Sequence, residues 1–118
     1  MKNASFAKRV GYALNGVRIV WRREKSFRMH CGFAVLAVAT AAFLRVDLLW
    51  WAIVGLCIAL VFATEMINAA LEYLIDRVHP EVHEEIGFAK DAAAGAVLLA
   101  SIGSACVGAL MLLGWLLR

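Results

Sequence analysis

The sequence predicts an all-α integral membrane protein in which an N-terminal amphipathic surface helix precedes three transmembrane helices. Hydrophobic residues make up 64% of the 118 residues, well above the roughly 45–50% that is typical of soluble domains. A chain of this length cannot bury so much apolar surface in its own interior. Uncharged runs such as 48–62 suit a hydrocarbon environment, and the chain has only 1 proline to interrupt its helices.

Residues 1–28 predict a basic helix that lies on the membrane surface. Apolar side chains recur every three or four positions here, at Phe6, Val10, Leu14, Val17 and Trp21. This spacing gives a helix one apolar stripe, and the intervening Lys and Arg residues suit contact with lipid headgroups. The apolar run that follows has the length of a signal-peptide core, but the segment before it is too long and too amphipathic for a signal peptide. We expect no cleavage.

Three spans are predicted at about 29–46, about 48–75 and about 91–117, and 76–90 reads as a cytoplasmic loop or a broken helix. The first span is short for the usual ~20-residue crossing. The loop is polar and contains the one proline. The third span is rich in Ala, Gly and Ser, which let helix backbones approach closely in lipid. We expect a single domain, 1–118, that packs tightly against other subunits.

The distribution of basic residues predicts the orientation in the membrane. Arg45 and Arg118 lie on one side, and the other ten lie on the opposite side: Lys2, Lys8, Arg9, Arg18, Arg22, Arg23, Lys25, Arg28, Arg77 and Lys90. Basic residues favour the cytoplasmic side, so the N-terminus and the 76–90 loop are expected there. The tryptophans agree, because Trp21 falls at the inner interface and Trp50, Trp51 and Trp115 fall at the outer one.

Several functional classes lack support in the sequence. The net charge is only +3, and no basic polar face exists beyond residue 28, so nucleic-acid binding is not expected. The three cysteines are far apart and in apolar surroundings, which favours free thiols. His79 and His83 have the i, i+4 spacing of zinc ligands, but Pro80 interrupts the helix that this spacing requires. There is no phosphate-binding glycine loop and no HExxH motif.

Acidic residues form a row at the end of the second span. Successive helical residues turn by about 100°, so Glu72 and Asp76 lie about 20° to either side of Glu65 on one face. Asn68 lies at the edge of this face. Three carboxylates repel one another, and Lys90 and bound Mg²⁺ are the candidate compensating cations.

The depth of this row favours a function for Glu65. Glu65 lies about 25 Å along the helix from Leu48, at 1.5 Å per residue, which is near the cytoplasmic rim of the hydrocarbon. A charge at membrane depth is costly and usually functional. The structural alternative, a solvated helix end that marks the exit from the bilayer, stays open mainly for Asp76.

Two stretches resemble the bacterial diacylglycerol kinase/undecaprenol kinase family. The run EMINAALEYLIDRVHPEVHEEIGFAKDAAAGAV at 65–97 resembles the family core E-x-x-N-x-x-x-E-x-x-x-D and its P-E-x-H and A-K-D-x-A-A-G-A-V elements. The run EKSFRMH at 24–30 is similar to the family element E-x-x-F-R-x-H. The resemblance covers nearly the whole chain in the same order, and it implies a homotrimeric membrane lipid kinase with a surface helix and three spans.

The resemblance also implies roles for individual residues. Glu65 corresponds to the general base that takes the proton from a lipid hydroxyl as it attacks the γ-phosphate of ATP. Glu24 and Glu72 correspond to ligands of Mg²⁺ on the phosphates. The remaining positions correspond to the ATP-binding site: Tyr12, Asn68, Asp76, Glu81, His83, Lys90 and Asp91.

The acceptor lipid is predicted less directly. Relatives that act on diacylglycerol often carry an acidic residue where this chain has His30, and the run KDAAAGAV and the proline before Glu81 resemble the undecaprenol-kinase branch. Undecaprenol is therefore the favoured acceptor and diacylglycerol is the alternative. A non-enzymatic small membrane oligomer is the competing class, but it gives no reason for Glu24 or for the pair Lys90 and Asp91.

Overall fold

The protein, seen here in a computed structural model that describes residues 2–118, consists of four helices. They are α1 (Phe6–Arg23), α2 (Lys25–Leu44), α3 (Leu48–Val78) and α4 (Glu84–Leu116). The last three are long and apolar enough to cross a membrane, with mean hydropathies of 1.6, 2.0 and 2.3 in the order of the chain. The predicted fold class, one helix followed by three membrane spans, is confirmed for the described residues.

The first two helices are separated at Glu24, which is in an extended conformation with φ −113° and ψ 110°. The predicted surface helix over 1–28 therefore ends at Arg23, and the last residues of that range open α2. The side chain of Arg28 explains this early end, because its Nη1 donates to the carbonyls of Trp21 at 2.6 Å and Arg22 at 3.1 Å. Carbonyls at a helix C-terminus lack intrahelical partners, and such a cation satisfies them.

A tight connection joins α2 to α3. Arg45 is left-handed, with φ 53° and ψ 51°, and its N–H donates to the carbonyl of Ala42 at 3.2 Å. The N–H of Val46 donates to the carbonyl of Ala41 at 3.3 Å, which completes a Schellman-type ending. The helical part of the first span therefore ends at Leu44, two residues earlier than predicted.

The loop predicted over 76–90 is wrong in extent, because only residues 79–83 lie outside the helices. The carboxyl-terminal part of that range is helical because α4 has a strong start. His83 caps α4, and its Nδ1 accepts a hydrogen bond from the Glu85 N–H at 3.1 Å. The acidic residues of the first turn of α4 interact favourably with the positive end of the helix dipole. Pro80 accounts for the break itself, since proline cannot continue a helix hydrogen-bond ladder.

Packing is concentrated along α3, which contacts each of the other helices. One buried cluster, made of Ala41, Leu44, Val54 and Met111, holds the end of the bundle near the α2–α3 turn. A second buried cluster holds the opposite end and lies beside the site described below; it consists of Val20, Phe27 and Ala69. Many large apolar side chains point outward, Leu48 being 86% exposed, which is stable only in lipid or against other subunits.

Candidate functional site

The carboxylate of Glu65 lies at the centre of the site. Glu65 is 3% exposed and is the one charged residue that is buried among residues 2–118. Its Oε1 lies 2.5 Å from Nδ1 of His30, and its Oε2 accepts a hydrogen bond from Oγ of Ser26 at 3.0 Å. A buried charge is tolerated only when polar groups surround it, and both of these partners come from α2.

His30 links this carboxylate to the third membrane helix. Its Nε2 lies 3.3 Å from Oγ of Ser101 in α4. An ionised carboxylate can only accept, so Nδ1 is assigned a proton, and in a neutral ring the hydroxyl of Ser101 then donates to Nε2. A single chain of polar contacts therefore connects α3, α2 and α4 through Glu65, His30 and Ser101.

Tyr73 connects the break between α1 and α2 to the acidic end of α3. Its hydroxyl donates to Oε1 of Glu24 at 2.8 Å. The guanidinium carbon of Arg23 lies 4.2 Å from the centre of the Tyr73 ring, within cation–π distance. Glu72 precedes Tyr73, is partly buried and forms no ion pair within residues 2–118. The tyrosine thus brings the carboxylate of Glu24 to the part of α3 that carries Glu72.

Lys90 and Asp76 form an ion pair between the end of α3 and the start of α4, with Nζ 2.6 Å from Oδ1. Lys90 therefore pairs with one of the three carboxylates of the acidic row, as expected for a compensating cation. Both side chains are more than a third exposed, at 38% and 65%, so the pair contributes little to stability. Its effect is to place the ammonium group over the end of the acidic row.

The other predicted site residues are distributed around these contacts. Asn68 has an Oδ1 that is buried without a hydrogen-bond partner, which is unusual and costly unless a ligand supplies one. Tyr12 is 45% exposed on α1, and Asp91 is exposed beside the Lys90 ion pair. Glu81 lies in the connection, with Oε2 3.6 Å from Nδ1 of His79. His83 caps α4 and lies outside the Glu65 contacts.

The predicted metal ligands need help from a substrate to complete a coordination shell. Among residues 2–118 no group of three or more His, Cys, Asp or Glu side chains is placed to hold a metal ion. Glu24 and Glu72 offer two carboxylates on neighbouring segments. This donor set fits Mg²⁺, which in nucleotide sites is usually held by one or two carboxylates together with phosphate oxygens and waters.

An apolar cavity of about 330 Å³ adjoins His30 between α2, α3 and α4. Its polar lining comes from His30, Ser101 and Ser104, and the rest is apolar, including Val54 and Val61. The Oγ of Ser104 is buried without a partner. The imidazole of His30 therefore lies between a largely apolar cavity on one side and the Glu65 carboxylate on the other.

Sequence reasoning assigned no role in the site to four residues of this arrangement, although His30 was already noted for its bearing on the acceptor lipid. Ser26 and His30 are four apart in α2, so they share a helix face, and that spacing was an available signal. Tyr73 adjoins a predicted site residue but gives no spacing signal of its own. Ser101 has no local signal either, because it is one of many small residues in α4.

Comparisons with known proteins agree on one family. A sequence model described as "Prokaryotic diacylglycerol kinase" matches residues 11–112. The chain is 38% identical to the Diacylglycerol kinase of Escherichia coli K12 over 95 residues, which cover 80% of this chain and 78% of that protein. It is 31% identical to the Undecaprenol kinase of Bacillus subtilis 168 over 108 residues, 92% of this chain and 88% of that protein. It is also similar to the Diacylglycerol kinase of Synechocystis, at 38% identity over 86% of this chain and 59% of that protein.

Proposed function

Because the chain belongs to the prokaryotic diacylglycerol kinase family, and is therefore a bacterial membrane lipid kinase, we propose that it phosphorylates undecaprenol. The family implies ATP-dependent phosphoryl transfer to a lipid, and diacylglycerol is the alternative acceptor. The observation that carries the proposal is the carboxylate of Glu65, which is buried at 3% exposure near the rim of the hydrocarbon. That depth is where a lipid hydroxyl meets a nucleotide from the aqueous phase.

The proposed chemistry assigns Glu65 as the general base. The O–H bond of the lipid alcohol breaks and its proton goes to the Glu65 carboxylate. The alcohol oxygen forms a bond to the γ-phosphorus of ATP, and the bond from that phosphorus to the bridging oxygen breaks, so that ADP leaves. Phosphoryl transfer needs positioning and charge neutralisation more than covalent help from the protein, and a positioned base contributes typically 10²–10⁴-fold.

Glu24 and Glu72 are the proposed holders of Mg²⁺. Two carboxylates from adjoining segments suit a hard divalent ion that also takes phosphate oxygens. Bound there, the ion would neutralise charge on the ATP phosphates. The hydrogen bond from Tyr73 to Glu24, 2.8 Å long, supports this assignment because it holds one of the two carboxylates in place.

The nucleotide site is proposed to surround this pair. The residues assigned to it are Tyr12, Asn68, Asp76, Glu81, His83, Lys90 and Asp91. The buried and unpartnered Oδ1 of Asn68 supports a ligand at that position, and the ammonium of Lys90 suits contact with phosphate.

Undecaprenol is favoured over diacylglycerol by the features shared with the undecaprenol-kinase branch. These are the run KDAAAGAV, the proline before Glu81 and the imidazole of His30 in place of an acidic side chain. His30 contacts the proposed base directly, so the residue type at this position bears on the acceptor. Relatives bearing either name match this chain, so the acceptor must be measured.

The assembly is proposed to be a homotrimer in the inner membrane with the N-terminus and residues 79–83 in the cytoplasm. The outward apolar side chains of the bundle support contacts with other subunits. Cross-linking in mild detergent should give a trimer. A clean monomer with full activity would contradict a site shared between subunits.

The acceptor is tested with both lipids in one assay. Purified protein in mixed micelles receives equal mole fractions of undecaprenol and diacylglycerol, Mg²⁺ and ATP labelled on the γ-phosphate, and the lipid products are separated. Label mainly in undecaprenyl phosphate is expected. Label mainly in phosphatidate would replace the proposed acceptor by the alternative, and no label in either lipid would contradict the proposed activity.

A further inference from the structure

We propose that His30 is a positioning residue for phosphoryl transfer, and that it acts by holding the Glu65 carboxylate through Nδ1 while Ser101 holds the imidazole ring through Nε2. The inference rests on the proposed function, in which Glu65 is the base. It adds two residues, His30 and Ser101, for which the sequence resemblance supplies no role in the reaction.

The contacts of Glu65 carry the first step. Oε1 lies 2.5 Å from Nδ1 of His30 and Oε2 accepts from Ser26 at 3.0 Å. Each carboxylate oxygen has two lone pairs, so each keeps one that is free for the proton of an acceptor hydroxyl. The two donors thus fix the rotamer of the base without blocking it.

The environment of His30 carries the second step. The side chain of His30 is 22% exposed and that of Glu65 is 4% exposed, so water cannot readily replace the imidazole as a donor. A charge-assisted hydrogen bond in such surroundings is roughly twice as strong as a neutral one. Loss of this donor would leave the carboxylate free to turn.

Ser101 carries the third step, because it holds the side of the imidazole ring that faces away from Glu65. Its Oγ lies 3.3 Å from Nε2 of His30, and a hydroxyl can either donate to or accept from that nitrogen. Nδ1 carries a proton because the carboxylate of Glu65 can only accept, and Ser101 keeps the ring turned so that this proton points at Glu65. In metal sites, removal of a group that orients a ligating histidine typically costs 10–100-fold in affinity or activity. During transfer the imidazole keeps its proton, and only the lipid hydroxyl loses one.

Two amide substitutions of His30 give the most direct test. In His30→Asn the side-chain amide replaces the Nδ1 end of the ring, whereas in His30→Gln it reaches the Nε2 end. Both variants are polar and uncharged, so their effects on folding are matched. We expect His30→Asn to keep kcat within about fivefold of the wild type and His30→Gln to lose about 10–100-fold, with the KM for ATP unchanged in both. Equal kcat values for the two variants, or a more active His30→Gln, would overturn the proposal.

A serine pair provides the second test, which also decides the matter if a His30 variant fails to fold. Ser101 and Ser104 line the same cavity, but only Ser101 contacts His30. We expect Ser101→Ala to lower kcat about three- to tenfold and Ser104→Ala to leave it unchanged. Equal effects of the two substitutions would refute the role of Ser101 in holding the imidazole of His30.

These outcomes separate the inference from the function on which it rests. A wild-type protein that labels neither undecaprenol nor diacylglycerol would contradict the proposed activity. If the wild-type protein labels one of the two lipids and all the variants share its kcat, the positioning role alone would be contradicted.

Discussion

Replacement of Tyr73 by phenylalanine should weaken the binding of Mg²⁺–ATP without slowing turnover at saturating Mg²⁺. The substitution deletes the hydroxyl that donates to Oε1 of Glu24 at 2.8 Å. It keeps the aromatic ring, on which Arg23 lies at 4.2 Å and which packs against the cluster of Val20, Phe27 and Ala69. The change therefore isolates one hydrogen bond to a proposed metal ligand.

The size of the effect follows from the kind of bond that is lost. A hydrogen bond to a charged group contributes about 1.5–3 kcal/mol. Glu24 and Tyr73 are both only partly buried, so the lower end applies, and about 1.4 kcal/mol corresponds to a tenfold change. We expect the apparent affinity for Mg²⁺–ATP to fall about tenfold. The protein should unfold within a few degrees of the wild type because the ring contacts remain.

Titration calorimetry with Mg²⁺–ATP and the rate as a function of Mg²⁺ concentration measure this effect. Glu24→Gln removes the charge that the tyrosine holds, so Tyr73→Phe should add little in that background, since interacting residues are not additive. Tyr73→Leu serves as the control for loss of the ring, and it should lower stability further without a further loss of affinity. A Tyr73→Phe protein with unshifted Mg²⁺ and calorimetric curves would refute the proposed metal pair.

Three further substitutions test other parts of the molecule. Glu72→Gln should move the Mg²⁺ activation curve to higher concentrations, and an unshifted curve would remove Glu72 from the metal site. Lys90→Met should change the unfolding temperature little, because the ion pair with Asp76 is exposed. It should raise the KM for ATP about tenfold, because a contact with phosphate is lost, and an unchanged KM would contradict that contact. Arg45→Gly should stabilise the protein by about 0.5–1 kcal/mol, because a non-glycine residue at φ 53° is strained. Thermal unfolding in detergent measures the change in stability, and a lower unfolding midpoint for the variant would contradict the prediction.

The membrane helices could be predicted because their signals are local. Apolar runs of the length needed to cross a bilayer identify the spans. The left-handed turn at Arg45 falls where the charged residues Arg45 and Asp47 interrupt the apolar sequence. The extent of the loop could not be predicted from polarity alone. Residues 84–90 include three charged side chains, yet they form the first turns of α4 because Glu84, Glu85 and the His83 cap suit a helix N-terminus.

The candidate site was only partly predictable for a similar reason. The row of Glu65, Glu72 and Asp76 follows from helical periodicity within α3. The partners of Glu65 come from α2 and, through His30, from α4. Such contacts depend on how the helices pack against one another, and no spacing along the chain encodes the pairing of residues 30, 65 and 101.

The role of Glu65 as the base is tested most directly by Glu65→Gln, with turnover and ATP binding measured on the same protein. The amide can still accept from His30, and the hydroxyl of Ser26 can accept from the new amide N–H, so the fold should be kept. We expect kcat for the preferred lipid to fall about 10²–10⁴-fold, the contribution of a positioned base, while the Kd for ATP stays within about twofold. A variant that turned over within tenfold of the wild type would show that Glu65 does not take the proton.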